Sequence, residues 1–331
     1  MRLTKFLAAV FTGLLVTCSA AAADTYPSRT VSLVVPYPPG GSSDVIARVI
    51  NEPLSRLLGQ PVIVDNIGGA AGAIGAQKML NAKPDGYSVF QGSVTETILV
   101  PLANAAVKFK SDEFRPVQMI GVAPMVLVAR ADLQANDMDE LIALARRQAA
   151  AGAPLTYGST GFGSLFHVLG EKLSVSAGAP MVHVPYKGGA PLMQDLASGQ
   201  VDFMLAPIQQ QILGMTDAGR MKILGTLEPR GTKGAPLLKK YPSVNDGALV
   251  KDFSYQFWHG YFVRKDTPEA IVERLNKALG TVLQDPKVRA QLEEQGLTVA
   301  APGTTAEAAR AYEAEIARYR DIAKVVKLQP Q

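Results

Sequence analysis

The sequence predicts an α/β fold of two domains joined by two crossing strands. Three observations carry this reading. Short apolar runs alternate with segments of helical periodicity along most of the chain. Two long extended segments, 114–130 and 253–266, interrupt that alternation. The length, 331 residues, suits two ordinary domains. If the chain leaves its first domain near residue 125 and returns near 252, the first domain comprises 24–125 and 252–331. The second is then 126–251. Two crossings allow the domains to close on each other about a few backbone positions.

The first residues stand apart from the fold. Arg2 and Lys5 precede the apolar run FLAAVFTGLLV (6–16), which is followed by the small residues SAAAAD (19–24). That order is a signal peptide, with cleavage after Ala23 and export of the remainder. The only cysteine, Cys18, falls inside it. Lipidation of Cys18 is the competing reading, but Thr17 is a poor residue before such a site. Cleavage after Ala23 leaves no thiol and no disulfide, so burial of the core must stabilise the exported chain. It also lowers the net charge from +4 to +2. With 47% hydrophobic and 19% charged residues and no basic stripe, the chain reads as globular and not as a nucleic-acid binder.

The elements follow in order. VSLVV (31–35) is a buried strand. Residues 43–59 read as a helix, with Val45, Ile46, Val49, Ile50, Leu54, Leu57 and Leu58 at helical spacing. Ser42 or Ser43 is its expected cap, Asp44 lies in its first turn and Gly59 ends it. Pro53 is expected to remove one backbone bond and kink it. VIV (62–64) is a strand, a glycine-rich bend leads into a helix over 73–82, PDG (84–86) is a turn, and YSVFQ (87–91) is a third strand. These short links predict a parallel sheet covered on both faces. After 114–130 come a helix (137–150), strand 155–159, helix 164–176, strand 181–185, helix 190–198, strand 201–205, helix 208–218 and strand 221–227. Residues 228–251 are loop-rich. Helices over 268–279, 286–295 and 304–323 follow the second crossing.

The chemistry concentrates at corners where strands give way to helices. In VVPYPPGGSSD (34–44), Pro38 and Pro39 hold the chain extended, while Gly40 and Gly41 let a ligand approach the backbone. The N–H groups from Gly40 to Ser43 then face outward at a helix N-terminus, a setting that favours an anion without a lysine. YGSTGFGSLFH (157–167) has the same plan, with hydroxyls on Ser159, Thr160 and Ser164 and exposed backbone at Gly158, Gly161 and Gly163. Facing each other across a cleft, the two corners could hold the two ends of one anion. A third corner, VPYKGGAP (184–191), adds Tyr186; Lys187 reads as an exposed lysine. Ser93 and Thr95 are expected to reach the same cleft. Glu96 reads as a first-turn helix residue.

Other chemistries lack support. GGAAGAIG (68–75) is not G-x-G-x-x-G, and no phosphate-binding loop occurs. His167, His183 and His259 have no metal-ligand spacing, so no metal and no cofactor is expected. A serine hydrolase using Ser159 or Ser164 with His183 lacks the G-x-S-x-G elbow and an orienting acid.

At this point the chain resembles the TctC-like, or Bug, periplasmic solute-binding receptors of tripartite tricarboxylate transporters. The resemblance lies in YPSRTVSLVVPYPPGGSSD, LGQPVIVDN, PDGY, LTYGSTGFGSLFH, VHVPYKGGAPLMQDLASGQVDFM and TPEAIVERLNKAL, in order over nearly the whole exported chain. It implies a Venus-flytrap binding protein of the periplasm, not an enzyme, working as a monomer. It also implies a small carboxylate ligand, dicarboxylic, tricarboxylic or aromatic, and a membrane transporter or a sensor kinase as partner. Carried over, Tyr37, Pro39, Gly40, Gly41, Ser42, Ser43 and Asp44 would meet one carboxylate. Tyr157, Ser159, Thr160, Gly161, Gly163 and Ser164 would form the opposite wall, with Ser93, Thr95 and Tyr186 nearby. Two departures stand out. LAPIQQQ (205–211) has Ala206 and Pro207 where members that bind amino acids often carry an acid, which disfavours an amine-bearing ligand. DNIGGAAGAIG lacks the usual Arg-Pro after Asn66.

Overall fold

The computed structural model describes residues 26–231 and 236–325. The signal peptide expected over 1–23, with Cys18, lies outside the described residues. The first lobe opens with β1 (Val31–Val35), α1 (Ser42–Leu58), β2 (Val62–Asn66), α2 (Ala73–Asn81) and β3 (Ser88–Ser93). β1 is nearly all apolar because it is covered on both faces, and β2 and β3 flank it in parallel. α1 forms because Ile46, Ile50, Leu54 and Leu58 recur every four residues and are all buried. Its span includes Pro53 without a break, and Gly59 closes it in the left-handed conformation at φ 72°. A buried π-helical turn over Thr95–Leu99, which the sequence did not announce, leads into α3 (Val100–Ala103).

β4 (Phe114–Arg130) then runs the length of the molecule. The second lobe follows it: α4 (Met138–Ala150), β5 (Thr156–Ser159), α5 (Leu165–Ala177), β6 (Val182–Pro185), α6 (Gly189–Ala197), β7 (Phe203–Pro207), α7 (Gln210–Asp217) and β8 (Met221–Thr226). The chain returns through β9 (Gln256–Arg264) and ends with α8 (Glu269–Gln284), α9 (Pro286–Glu294), β10 (Thr298–Val299) and α10 (Thr305–Val325).

The strand order is β2-β1-β3-β9-β4-β7-β5-β6, with β8 and β10 also paired to β4. The sheet is mixed, not purely parallel as the short links suggested. The crossing strands are the reason: β9 is antiparallel to β3, and β4 is antiparallel to β9, β7 and β8. β4 changes partners at one point. It pairs with β9 up to Pro124↔Gln256 and with β7 from Met125↔Pro207 onward. The second crossing lies beside it, where Leu227 N–H donates to Met125 O (2.8 Å) and Tyr255 N–H to Leu227 O (3.0 Å). The second extended segment is therefore shorter as a strand than 253–266, since Tyr255 is committed to this bridge.

Packing ties the C-terminal helices to the first lobe. Tyr312 Oη donates to Thr97 O (3.2 Å) and Ser111 O (3.1 Å), and Trp258 Nε1 donates to Glu315 (2.9 Å). Tyr319, about two turns further along α10, is fully buried, yet its hydroxyl has no partner among the described residues. A buried hydroxyl without a partner opposes folding. Tyr319→Phe should therefore raise stability by roughly 1 kcal/mol, read as a higher urea midpoint at unchanged slope; a loss of stability would show that the hydroxyl is satisfied.

Candidate functional site

The corner between β1 and α1 is fixed by one buried carboxylate. Asp44 accepts from Gly40 N–H (2.9 Å), Arg48 Nε (3.0 Å) and Asn66 Nδ2 (3.0 Å). Burial alone would push its pKa up, but these three donors hold it below the usual carboxylate range. Asn66 Nδ2 also donates to Tyr37 O (3.1 Å), and Gln91 Nε2 donates to Ser43 O (2.8 Å). Tyr261 Oη donates in turn to Gln91 Oε1 (3.2 Å), so the corner is anchored to the crossing strand β9.

These bonds decide which N–H groups remain free. The helix cap is Gly41, with no side-chain capping bond, and not Ser42 or Ser43. Gly40 takes the left-handed turn at φ 86°, and its N–H goes to Asp44. The N–H groups of Gly41, Ser42 and Ser43 meet no acceptor among the described residues. They line a cavity between the lobes at the positive end of the 17-residue α1.

The facing wall differs from the one the sequence suggested. It is built by the third corner and by the end of β7. Gly188, Gly189 and Ala190 start α6, and Ala206 and Pro207 end β7; all five line the cavity. The N–H groups of Gly189 and Ala190 also meet no acceptor among the described residues. Phe166, Leu192, Met193, Met204 and Phe257 supply much of the rest, and His259 adds an imidazole from β9. The cavity volume is about 70 Å³, room for about five water molecules and hence for a small organic solute.

Six of the residues expected to contact a ligand line this cavity: Tyr37, Pro39, Gly41, Ser42, Ser43 and Thr160. The others do not, each for a local reason. Gly40 and Asp44 are spent on each other. Ser93 donates its hydroxyl to Glu96 (2.7 Å). Thr95 Oγ1 accepts from Leu165 N–H (3.1 Å) and so pins the start of α5 to the first lobe. Ser164 caps α5 by accepting from His167 N–H, and Gly163 N–H donates to His167 Nδ1 (3.2 Å). Ser159 Oγ bonds Gly161 on both sides. Tyr157 is fully buried with its hydroxyl on Glu171 (2.5 Å), and Tyr186 Oη donates to Asp195 (2.9 Å). Lys187 is exposed and away from the cavity.

Ser159 Oγ also lies 2.6 Å from His183 Nε2, the pair a serine nucleophile would need. Ser159 is fully buried, however, and neither residue lines the cavity. The His183 ring stacks on Tyr157 (5.1 Å) and packs against His167 (4.2 Å). This cluster ties β5, β6 and α5 together beneath the second wall.

A second buried acid, Glu96, reaches the first corner through Tyr37. It is fully buried, accepts from the Tyr37 hydroxyl and from Ser93, and has its pKa raised, chiefly by burial. The lobes meet around it. Phe166 packs on Phe257 (5.3 Å), a Cβ at Gly163 (φ 79°) would sit 2.9 Å from Ala103 Cβ, and one at Gly188 would sit 3.3 Å from Pro38 Cδ.

Comparison with known proteins is consistent with this geometry. Residues 46–328 match the model of the tripartite tricarboxylate transporter family receptor, TctC. A protein of Agrobacterium vitis, from the TAR-I ttuE-ttuC' intergenic region, is 33% identical over 328 residues, covering 98% of this chain and 91% of its own. Among solved structures, a Rhodopseudomonas palustris protein with adipate superposes with a TM-score of 0.84 at 28% identity, covering 92% of this chain and 100% of its own. MatC from the same species, with bound malate, gives a TM-score of 0.82 at 28% identity, over 90% of this chain and 99% of its own. The matching family is one of receptors, not enzymes.

The buried histidines set a pH dependence. Burial lowers the pKa of His259 to about 4. The unfolded chain, near the ordinary value of about 6.5, then binds the proton more readily. The stability His259 confers is full above that value and is lost as pH falls toward 4. At pH 5 the loss is about 2 kcal/mol for this one residue. Urea titrations at pH 7 and pH 5 should show His259→Gln losing less stability on acidification than the parent chain; equal losses would place the proton elsewhere.

Proposed function

The chain belongs to the family of tripartite tricarboxylate transporter receptors, and on that premise we propose that it is exported and traps a small carboxylate between its two lobes for a membrane transporter. One observation carries this reading. The N-termini of α1 and α6, one from each lobe, border a single cavity, and their N–H groups at Gly41, Ser42, Ser43, Gly189 and Ala190 have no acceptor among the described residues. Such groups favour an anion, and the helix dipoles add to the attraction. The malate- and adipate-bound relatives support a carboxylate as that anion.

The proposed moving parts are residues 24–125 with 252–331 against 126–251, bending where β4 changes partners at Pro124 and Met125. The signal peptide over 1–23 would direct the chain to the periplasm. Closure brings Pro38 against Gly188 and Thr95 against Leu165. The closed pair of lobes is then the surface that a transporter subunit reads. A sensor kinase would read the same surface, and recovery of one or the other in a pull-down with ligand present separates the two.

Two measurements test the binding reading. Unfolding and refolding the exported chain removes carried-over ligand. Thermal unfolding is then followed against a panel of carboxylates and their amides. A true ligand at about 100 times its Kd adds roughly 2.7 kcal/mol and should raise the midpoint by several degrees. Its amide should raise it little, and a panel without any shift would overturn the anion cradle. Gly188→Val should weaken binding by about tenfold or more, because the added side chain meets Pro38 across the closed cleft. At φ 159° the branched side chain also strains the backbone, so the unliganded melt should fall as well. Unchanged affinity would show that closure does not use this contact.

A further inference from the structure

The cavity has a second chemical character that the cradle does not explain. None of its lining side chains is Lys, Arg, Asp or Glu. Its uncharged polar side chains are Tyr37, Ser42, Ser43, Thr160, Gln209 and His259. The remainder is dominated by Phe166, Leu192, Met193, Met204, Pro207 and Phe257. The two helix N-termini lie on the same side of this space, since Pro38 of the first corner touches Gly188 of the third. They therefore serve one anion jointly, and the rest of the ligand must extend toward rings and thioethers.

His259 shares this space. It is 1% exposed, lines the cavity beside Phe257 (ring centroids 4.9 Å) and has an Nε2 with no hydrogen-bond partner among the described residues. Thr160, 8% exposed, lies beside the Tyr37 hydroxyl, yet its Oγ1 makes no hydrogen bond of normal geometry. Buried polar atoms without partners are uncommon and call for an account. Here the account is a ligand atom. A neutral imidazole carries one donor and one acceptor, so a hydroxyl suits it in either tautomer. A second carboxylate would lie buried among apolar groups without a cation, a costly arrangement.

We propose that the ligand carries a single carboxylate on an apolar body, an aromatic ring or a short alkyl chain, and ends in a hydroxyl that His259 recognises. This rests on the carboxylate-receptor reading and narrows it. His259 becomes a specificity-determining residue, and Ala206 and Pro207 complete an apolar wall that offers no countercharge to an amine.

The test is calorimetric titration of the refolded, ligand-free exported chain with two matched series. One is para-methylbenzoate, para-hydroxybenzoate and terephthalate. The other is hexanoate, its terminal hydroxy acid and adipate. In at least one series the hydroxyl compound should bind about tenfold tighter than the methyl compound, and tighter than the dicarboxylate. His259→Leu should bring the hydroxyl-to-methyl ratio close to one, whereas His259→Gln, which keeps a donor and an acceptor, should retain part of it. A dicarboxylate binding tightest, a ratio near one in the parent chain, or a ratio unchanged in a folded His259→Leu overturns the proposal. In the first of those cases the carboxylate-receptor reading survives. If malate and every other carboxylate also fail to bind, both readings fall. Should His259→Leu not fold, the ranking in the parent chain decides alone.

Discussion

Asp44 sits in the first turn of α1, where an acidic side chain usually answers the helix's own unpaired N–H groups. Here it is turned back on the loop, held by Gly40, Arg48 and Asn66. The consequence is a helix end left open. Gly41, Ser42 and Ser43 keep their N–H groups for something outside the chain. The stiffness of Pro38 and Pro39, the positive φ of Gly40 and the grip of Gln91 on Ser43 all serve to keep that end open and still. In the proposed role, backbone alone would hold the anion, and the cavity can stay free of charged side chains among the described residues.

The second lobe solves the same problem with different residues. The Gly-Ser loop after β5 looks like the natural counterpart of the first corner, but its polar groups are consumed within reach of one another. Ser164 caps α5, Ser159 closes on Gly161, and Thr95 comes from the first lobe to take Leu165 N–H. That loop acts as a bearing surface between the lobes, while the plainer corner at Gly188 and Gly189 carries the open helix end. The same division explains the His183–Ser159 contact, which is internal carpentry of the second lobe and not a reactive pair.

Much of the architecture was legible in the sequence because it rests on local signals. Val31–Val35 is too apolar to be anything but a covered strand, Ile46, Ile50 and Leu54 mark a helix, and Gly59 marks its end. The long runs at 114–130 and near 256–264 exposed the two crossings. The mixed direction of the sheet was not legible, because pairing partners depend on where distant strands land. The first wall of the cavity was readable from its prolines and glycines. The second was misplaced because a hydrogen bond such as Thr95 to Leu165 spans the whole cleft and leaves no local trace. His259 gave no signal at all, since a lone histidine in a strand has no spacing partner. VPYKGG (184–189) nearly repeats VPYPPGG (35–41), a local likeness that does mark the second open helix end.

The bond from Tyr261 to Gln91 and on to Ser43 has a mechanical consequence. Tyr261 pairs with Gln91 inside the first lobe, well past the crossing at Tyr255, so the loop that presents the free N–H groups and this length of β9 form one stiff block. The open helix end is then a fixed plate of the first lobe. Any movement of the second lobe must be taken up outside this block, beside Pro124 and Met125, and it would leave the shape of the plate unchanged.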